Sequence, residues 1–107
     1  MNNAAIQALG DGRFLLSGDL DFDDVPQLLG AGASMFAHES ARVVLDLSGV
    51  RRTTSVGLAL MVEWLRRARQ ANKSIEFQNV PAQMLAMAKI SGLDGILMSP
   101  TKAGAAQ

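Results

Sequence analysis

The pattern of apolar and polar positions predicts that the chain opens with two short strands. Residues 4–9 and 13–18 are mostly apolar, and Asp11-Gly12 lies between them. An Asp-Gly pair favours a two-residue hairpin turn, because glycine adopts positive φ without a steric penalty. We therefore predict an N-terminal β-hairpin.

After the hairpin, apolar residues recur at the spacing of a helix. Five of them share one helical face: Val25, Leu28, Leu29, Met35 and Phe36. Asp23 or Asp24 is predicted to cap this helix, and Pro26 suits its first turn, where the missing N–H costs no hydrogen bond. Gly30 and Gly32 lower the intrinsic helix propensity, so packing against the rest of the protein must hold the helix.

The remaining chain alternates between strand and helix patterns. The predicted strands are residues 41–48, 74–80 and 95–99, and the predicted helices are residues 55–72 and 81–91. Such alternation favours parallel strands joined by right-handed crossovers. The prediction is a single α/β domain with a mostly parallel mixed sheet, the N-terminal hairpin and three to four helices. Residues 1–100 are expected to form the domain, and residues 101–107 a flexible C-terminal tail.

The second predicted helix, which begins near Ser55, has two apolar stripes. At about 100° per residue, one stripe faces the sheet and consists of Leu58, Met61, Val62, Leu65 and Ala68. Val56, Leu60 and Trp64 form a second stripe that continues into Arg67. Either a wide core or a neighbouring helix covers the second stripe, or it is a protein-binding face anchored by Trp64. Tryptophan and arginine dominate the energetics of many interfaces, which motivates the second alternative.

Composition narrows the possible classes of function. The chain has 107 residues, of which 49% are hydrophobic, no cysteine and a formal net charge of zero. We expect one core, no disulfide, thiol chemistry or cysteine-ligated zinc, and no overall field that attracts nucleic acid. The longest apolar run, residues 56–65, is shorter than the roughly 20 residues that a membrane-spanning helix needs. No signal peptide is visible, so we expect a cytoplasmic protein that does not insert into a membrane.

Few residues are candidates for chemistry. GAGAS at residues 30–34 follows no predicted strand and lacks the third glycine of a phosphate-binding loop. The acidic residues between Asp19 and Asp24 lack the glycine and glutamate of an EF-hand, and His38 has no cysteine or second histidine with which to hold a metal. We predict no catalytic residue, metal or cofactor, and we do not expect an enzyme. Thr53-Thr54-Ser55 is either a helix cap or a place of modification or binding, because a helix N-terminus favours negative charge.

The same segment resembles a known family. "VVLDLSGV" (43–50), followed by Ser55 and "VGLAL" (56–60), resembles the STAS domain family, whose anti-sigma-factor antagonists carry D-L-S-x-V-x-x-[IML]-D-S-S-G-L. Counted from Asp46, Ser55 matches the serine that is phosphorylated in those antagonists, and Thr54 replaces the aspartate before it. "LSGDLDFDDVPQL" (16–28) also resembles the second strand and the following helix of the family.

Within the family, the second half of the chain resembles the small cytoplasmic STAS subunits of Mla phospholipid transporters. This resemblance implies a non-catalytic subunit that binds and supports an MlaF-like ABC transporter ATPase and helps to maintain outer-membrane lipid asymmetry. The subunit would be peripheral to the inner membrane, attached through the ATPase and the permease. The predicted partner-binding residues are Thr54, Ser55, Val56, Leu60, Trp64 and Arg67. The alternative is an anti-sigma-factor antagonist, with an anti-sigma factor as its partner, which is regulated by phosphorylation of Ser55.

Overall fold

The computed structural model of the protein describes residues 4–37, 40–93 and 95, which form four strands and three α-helices. In chain order these are β1 (Ala5–Gly10), β2 (Arg13–Leu20), α1 (Val25–Ala37), β3 (Arg42–Thr53), α2 (Ser55–Gln70), β4 (Ser74–Gln78) and α3 (Ala82–Ile90). A 3-10 turn, Phe22–Asp24, leads into α1. The predicted α/β fold is confirmed.

The N-terminal hairpin forms where the Asp-Gly pair predicts it. Asp11 and Gly12 both have positive φ, 55° and 78°, as a type I′ turn requires. A second reason for glycine at position 12 is steric, because a Cβ there would lie 2.6 Å from the carbonyl oxygen of Arg42. The turn therefore joins β1 to β2 and also lets the start of β3 pass close to it.

The four strands form one mixed sheet in the order β1-β2-β3-β4. β1 is antiparallel to β2, while β2, β3 and β4 are parallel to one another. Alternate residues of the parallel strands are buried: Phe14, Leu16 and Leu20 in β2, Val43, Leu45 and Leu47 in β3, and Ile75 and Phe77 in β4. They share one hydrophobic cluster with residues of all three helices, so the helices cover one face of the sheet.

Three details differ from the sequence-based expectation. The turn before α1 is capped by Asp21 rather than by Asp23 or Asp24. β3 continues to Thr53 instead of ending at residue 48, because it pairs in parallel with β2 as far as Leu20 opposite Thr53. Gly95, the first residue of the predicted last strand, is helical rather than extended. The other residues of that strand, the predicted tail and His38 lie outside the described residues.

Candidate functional site

A cleft of about 460 Å³ lies where the parallel strands β2 and β3 end. Its lining comes from the end of β2, the end of β3 with the cap of α2, and the first turn of α3: Asp19, Leu20, Asp21, Arg52, Thr53, Thr54 and Gln83. Parallel strands direct their carboxyl ends to the same edge of a sheet, and α/β proteins commonly bind at this edge. The cleft therefore places the Thr53-Thr54-Ser55 segment in the region where the fold favours binding.

The three consecutive hydroxyl side chains have different environments. Thr53 is 6% exposed, and its Oγ1 donates a hydrogen bond to the carbonyl oxygen of Thr54 (2.9 Å). Thr54 is the N-cap of α2, and its Oγ1 accepts a hydrogen bond from the backbone N–H of Val56 (3.2 Å). Ser55 begins α2 with its side chain exposed. Thr53 and Thr54 thus build the helix start, while Thr54 and Ser55 are both exposed to solvent.

Close packing beneath Gly57 fixes the position of this helix start. A Cβ at residue 57 would overlap Oγ1 of Thr53 and would lie 2.9 Å from Cε of Met84 and 3.2 Å from Cδ1 of Leu20. The first turn of α2 is therefore pressed against β2, β3 and α3 together. Ser55 stands on a rigid support, which suits a surface that must be recognised in one orientation.

The structure corrects the predicted role of the second apolar stripe as a solvent-facing surface. Leu60 is 2% exposed and Trp64 is 0% exposed. α1 covers the indole, because a Cβ on Gly32 would lie 2.9 Å from Cε2 of Trp64. Of the three apolar residues in the stripe, only Val56 is half-buried, so only its side chain is accessible to a partner. A neighbouring helix therefore covers Leu60 and Trp64, and their side chains are not available for docking in this structure.

The face of α2 that does meet solvent includes Ser55, Ala59, Val62 and Arg66, and we call these four residues the open face. Their spacing of four, three and four residues keeps them on one side of the helix. Val62, expected to face the sheet, is 38% exposed and belongs to this side. Val62 lies at the margin of the apolar stripe, and the sequence has no signal that separates a margin residue from a core residue.

Arg67, the last predicted contact residue, lies at the other end of α2. Twelve residues separate it from Ser55, which at 1.5 Å per residue is about 18 Å along the helix. Its Nε donates to Oε2 of Glu63 (2.8 Å), and Nη2 of Arg66 donates to the same oxygen (2.6 Å). Hydrogen bonds from Arg66 and then Arg67 lower the pKa of Glu63 to about 2. The structure does not bring Arg67 together with the helix start.

Charges of both signs surround the cleft. Nε of Arg51 lies 3.5 Å from Oδ1 of Asp19, while Arg52 and Asp21 line the opening. Oδ1 of Asp19 is buried and accepts no hydrogen bond from the described residues, so the ion pair with Arg51 is its compensation. Asp19, Asp21, Arg52 and Gln83 were not among the predicted site residues, because only the convergence of two strand ends and the start of α3 brings them to Thr54.

Two properties of the described part of the chain bear on the class of site. No group of three or more His, Cys, Asp or Glu side chains among these residues is arranged to hold a metal ion. Within the same residues, no helix is both long enough and apolar enough to cross a bilayer. The described residues present a fixed helix start beside a cleft. This arrangement suits contact with another molecule.

Comparison with known families and structures gives a consistent result. A family model described as "Mlab, STAS domain" matches residues 6–99. A chain of the Acinetobacter MlaFEDB complex in its ATP-bound Vtrans2 conformation is 29% identical, with a TM-score of 0.73, over 87% of this chain and 97% of that chain. No curated protein is significantly similar in sequence.

Two anti-sigma-factor antagonists share the fold at lower identity. One, from Mycobacterium paratuberculosis, is 23% identical with a TM-score of 0.67, over 91% of this chain and 83% of that chain. The other, SpoIIAA in its unphosphorylated form, is 16% identical with a TM-score of 0.68, over 92% and 89% of the two chains. At these identities the likeness concerns the architecture alone.

Proposed function

The chain belongs to the STAS domain family, and from this premise we propose that it is a non-catalytic subunit of a phospholipid-transporting ABC complex. In this proposal it binds the ATPase subunit, is cytoplasmic and peripheral to the inner membrane, and helps to maintain outer-membrane lipid asymmetry. The observation that carries the proposal is the match to a chain of the Acinetobacter MlaFEDB complex, which spans 87% of this chain and 97% of that one.

The geometry of the helix start supports a docking role. Ser55 is exposed on a turn that Gly57 holds against three other elements. Ala59, one helical turn further along the open face, is small and exposed, so a partner backbone can approach the helix closely there. We define the docking surface as the open face together with Thr54 and Val56; Arg67 lies at its far end.

The proposal predicts that a large cation at Ser55 disrupts binding without unfolding the domain. Ser55→Arg adds bulk and charge at the helix-start end of the docking surface, so we expect at least a tenfold weaker affinity for the ABC ATPase of the same organism. Because Ser55 is exposed, the free energy of unfolding of the variant is expected to differ from that of the wild-type chain by no more than about 0.5 kcal/mol. Co-purification and a calorimetric titration measure the binding, and thermal unfolding measures the stability.

Ser34→Arg is the matched control, because Ser34 is also an exposed helical serine but lies near the end of α1. This variant is expected to bind like the wild-type chain. Full retention of the ATPase by Ser55→Arg, with a normal unfolding transition, would contradict the proposed docking surface.

One observation favours a second function, an anti-sigma-factor antagonist switched by phosphorylation. The Ser55 hydroxyl is exposed at the N-terminus of a 16-residue helix, where a phosphoryl group is electrostatically tolerated. Thr54, however, supplies a hydroxyl cap where the antagonists of this family carry an acidic residue. A mass increase of one phosphoryl group after incubation with an anti-sigma kinase, absent in Ser55→Ala, would favour this second function.

A further inference from the structure

Phe22 is the most exposed aromatic side chain among the described residues, at 74%. The other phenylalanines pack inward: Phe14 and Phe77 are buried, and Phe36 is half-buried against the core. A ring that projects into water loses the favourable burial that the other three obtain. Its position therefore calls for a reason other than the stability of the isolated domain.

The 3-10 turn holds Phe22 in this outward position. The backbone N–H of Phe22 donates to Oδ1 of Asp21 (2.7 Å), and the backbone N–H of Asp21 donates to Oδ2 of Asp24 (3.0 Å). Asp24 is only 7% exposed, so the reciprocal capping box is anchored in the fold. The exposure of Phe22 is consequently a property of an ordered turn and not of a loose loop.

The turn that carries Phe22 borders the cleft beside the docking surface, because its cap, Asp21, lines the cleft. Asp21, its neighbour in the chain, lines the cleft on one side, and Thr54 lines it on the other. The turn at the end of β2 and the start of α2 at the end of β3 therefore present their side chains at the same edge of the sheet. A partner that covers Ser55 and extends across this cleft therefore reaches the turn that carries Phe22.

The surroundings of the ring specify the chemistry of the contact. Asp21 and Asp23, the chain neighbours of Phe22, are both exposed. An apolar partner would take these carboxylates out of water without compensation, and an acidic partner would be repelled. An arginine suits this turn, because its guanidinium stacks on an aromatic face and donates hydrogen bonds to carboxylates.

We propose that Phe22 is a second contact point of the domain and receives an arginine side chain of the ATPase subunit, with Asp21 and Asp23 beside the ring. This inference rests on the proposed function, since it takes the same ATPase as the partner. The inference adds a contact residue outside α2. It also predicts that the partner surface facing the 3-10 turn is basic.

The test measures the dissociation constant for the ABC ATPase of the same organism with variants of the full chain. Phe22→Ala is expected to raise the constant at least tenfold, while Ile90→Ala, which removes another exposed apolar side chain at the end of α3, leaves it unchanged. Phe22→Leu keeps an apolar side chain but lacks the ring, so it is expected to bind as weakly as Phe22→Ala. Phe22→Trp keeps the stacking surface and is expected to stay within threefold of the wild-type value.

Salt dependence tests the charged part of the contact. Asp23→Asn is expected to weaken binding and to flatten its dependence on salt concentration, because one screened charge pair is lost. Asp11→Asn makes the same change in the hairpin turn, at the other end of β2, and is expected to leave both quantities unaltered.

The outcomes separate this inference from the proposed function. Weak binding by both Phe22→Ala and Phe22→Leu, with a flattened salt dependence in Asp23→Asn, supports the arginine contact. Wild-type affinity of Phe22→Ala, together with loss of binding in Ser55→Arg, overturns the inference and leaves the proposed function standing. Equal affinity of Phe22→Leu and the wild-type chain also overturns it, since an apolar contact then suffices. If the unaltered chain binds no ABC ATPase, both are overturned.

Discussion

The covered side of α2 and its open face differ in what their side chains contact. On the covered side, Leu60, Met61 and Trp64 are buried between α1, α3 and the sheet. On the open face, Ser55 and Ala59 are small and exposed, and Arg66 extends into solvent. Most large apolar residues of the helix thus serve the core of the chain itself, whereas the open face is mainly small or charged, with Val62 as its large apolar member.

Under the proposed function, this difference makes stability and partner binding separable within one helix. A change on the covered side removes packing that no partner supplies, so it acts on the free energy of unfolding. A change at Ser55 or Ala59 on the open face alters a surface that the isolated domain does not pack against. Variants on the two sides should therefore fail in different assays, and the following predictions test that separation from the largest expected effect to the smallest.

The largest effect is expected for Trp64→Ala. Removing a fully buried tryptophan leaves a large cavity under α1, and such truncations cost about 3–5 kcal/mol of unfolding free energy. Urea unfolding followed by far-UV circular dichroism measures this loss. Trp64→Phe is the control: it keeps most of the volume, and it removes an indole N–H that has no hydrogen-bond partner among the described residues, so no hydrogen bond is lost. Normal stability of Trp64→Ala combined with lost ATPase binding would instead assign Trp64 to an interface.

Alanine substitutions at two glycines of α1 are expected to give the next largest changes in stability, with opposite signs. A Cβ at Gly32 would press against the Trp64 indole, so Gly32→Ala is expected to cost about 1–3 kcal/mol. Gly30 lies in the same helix with no atom within 4 Å of the added Cβ, so Gly30→Ala should stabilise by about 1 kcal/mol through helix propensity. Unfolding midpoints of both variants, measured together, test the contact between α1 and α2. Equal stabilisation by both substitutions would show that α1 does not pack on Trp64.

Local signals were sufficient to predict the order of the elements as far as α3. Asp11-Gly12 specifies a tight turn, and alternating strand and helix periods after Gly18 specify parallel strands with crossovers. Thr54 also acts as the predicted kind of helix cap, because capping depends on a side chain and a backbone N–H two residues away. These features depend on interactions between residues close in the chain.

The contacts between distant segments could not be predicted from such signals. Whether Trp64 meets solvent depends on α1, whose Gly32 leaves room for the indole, and the periodicity of α2 is the same in either case. The cleft likewise forms only when Asp21, Thr54 and Gln83 arrive from three separate elements. The exposure of Phe22 follows from the capping box around it, whereas an aromatic residue between strand and helix would ordinarily be assigned to the core.

The smallest effect is expected on the exposed side of α2, at the cluster of Glu63, Arg66 and Arg67. Hydrogen bonds from Arg66 and Arg67 lower the pKa of Glu63 from 4.5 to about 2 in the folded chain. As the pH falls from about 5 towards about 2, the unfolded chain takes up the proton first, so the stabilisation by this cluster is present at neutral pH and is lost across that interval. Glu63→Gln removes the titrating group, so its urea midpoint should lie below that of the wild-type chain at neutral pH and approach it near pH 2, with a difference kept small by solvent screening.

In a background where both arginines are replaced by Gln, the same substitution should change neither the midpoint nor its pH dependence, because the groups that lower the pKa are gone. Identical acid sensitivity of Glu63→Gln and the wild-type chain would show that these charges are independent in solution, and Arg67 would then be free to contact a partner from the far end of the docking surface.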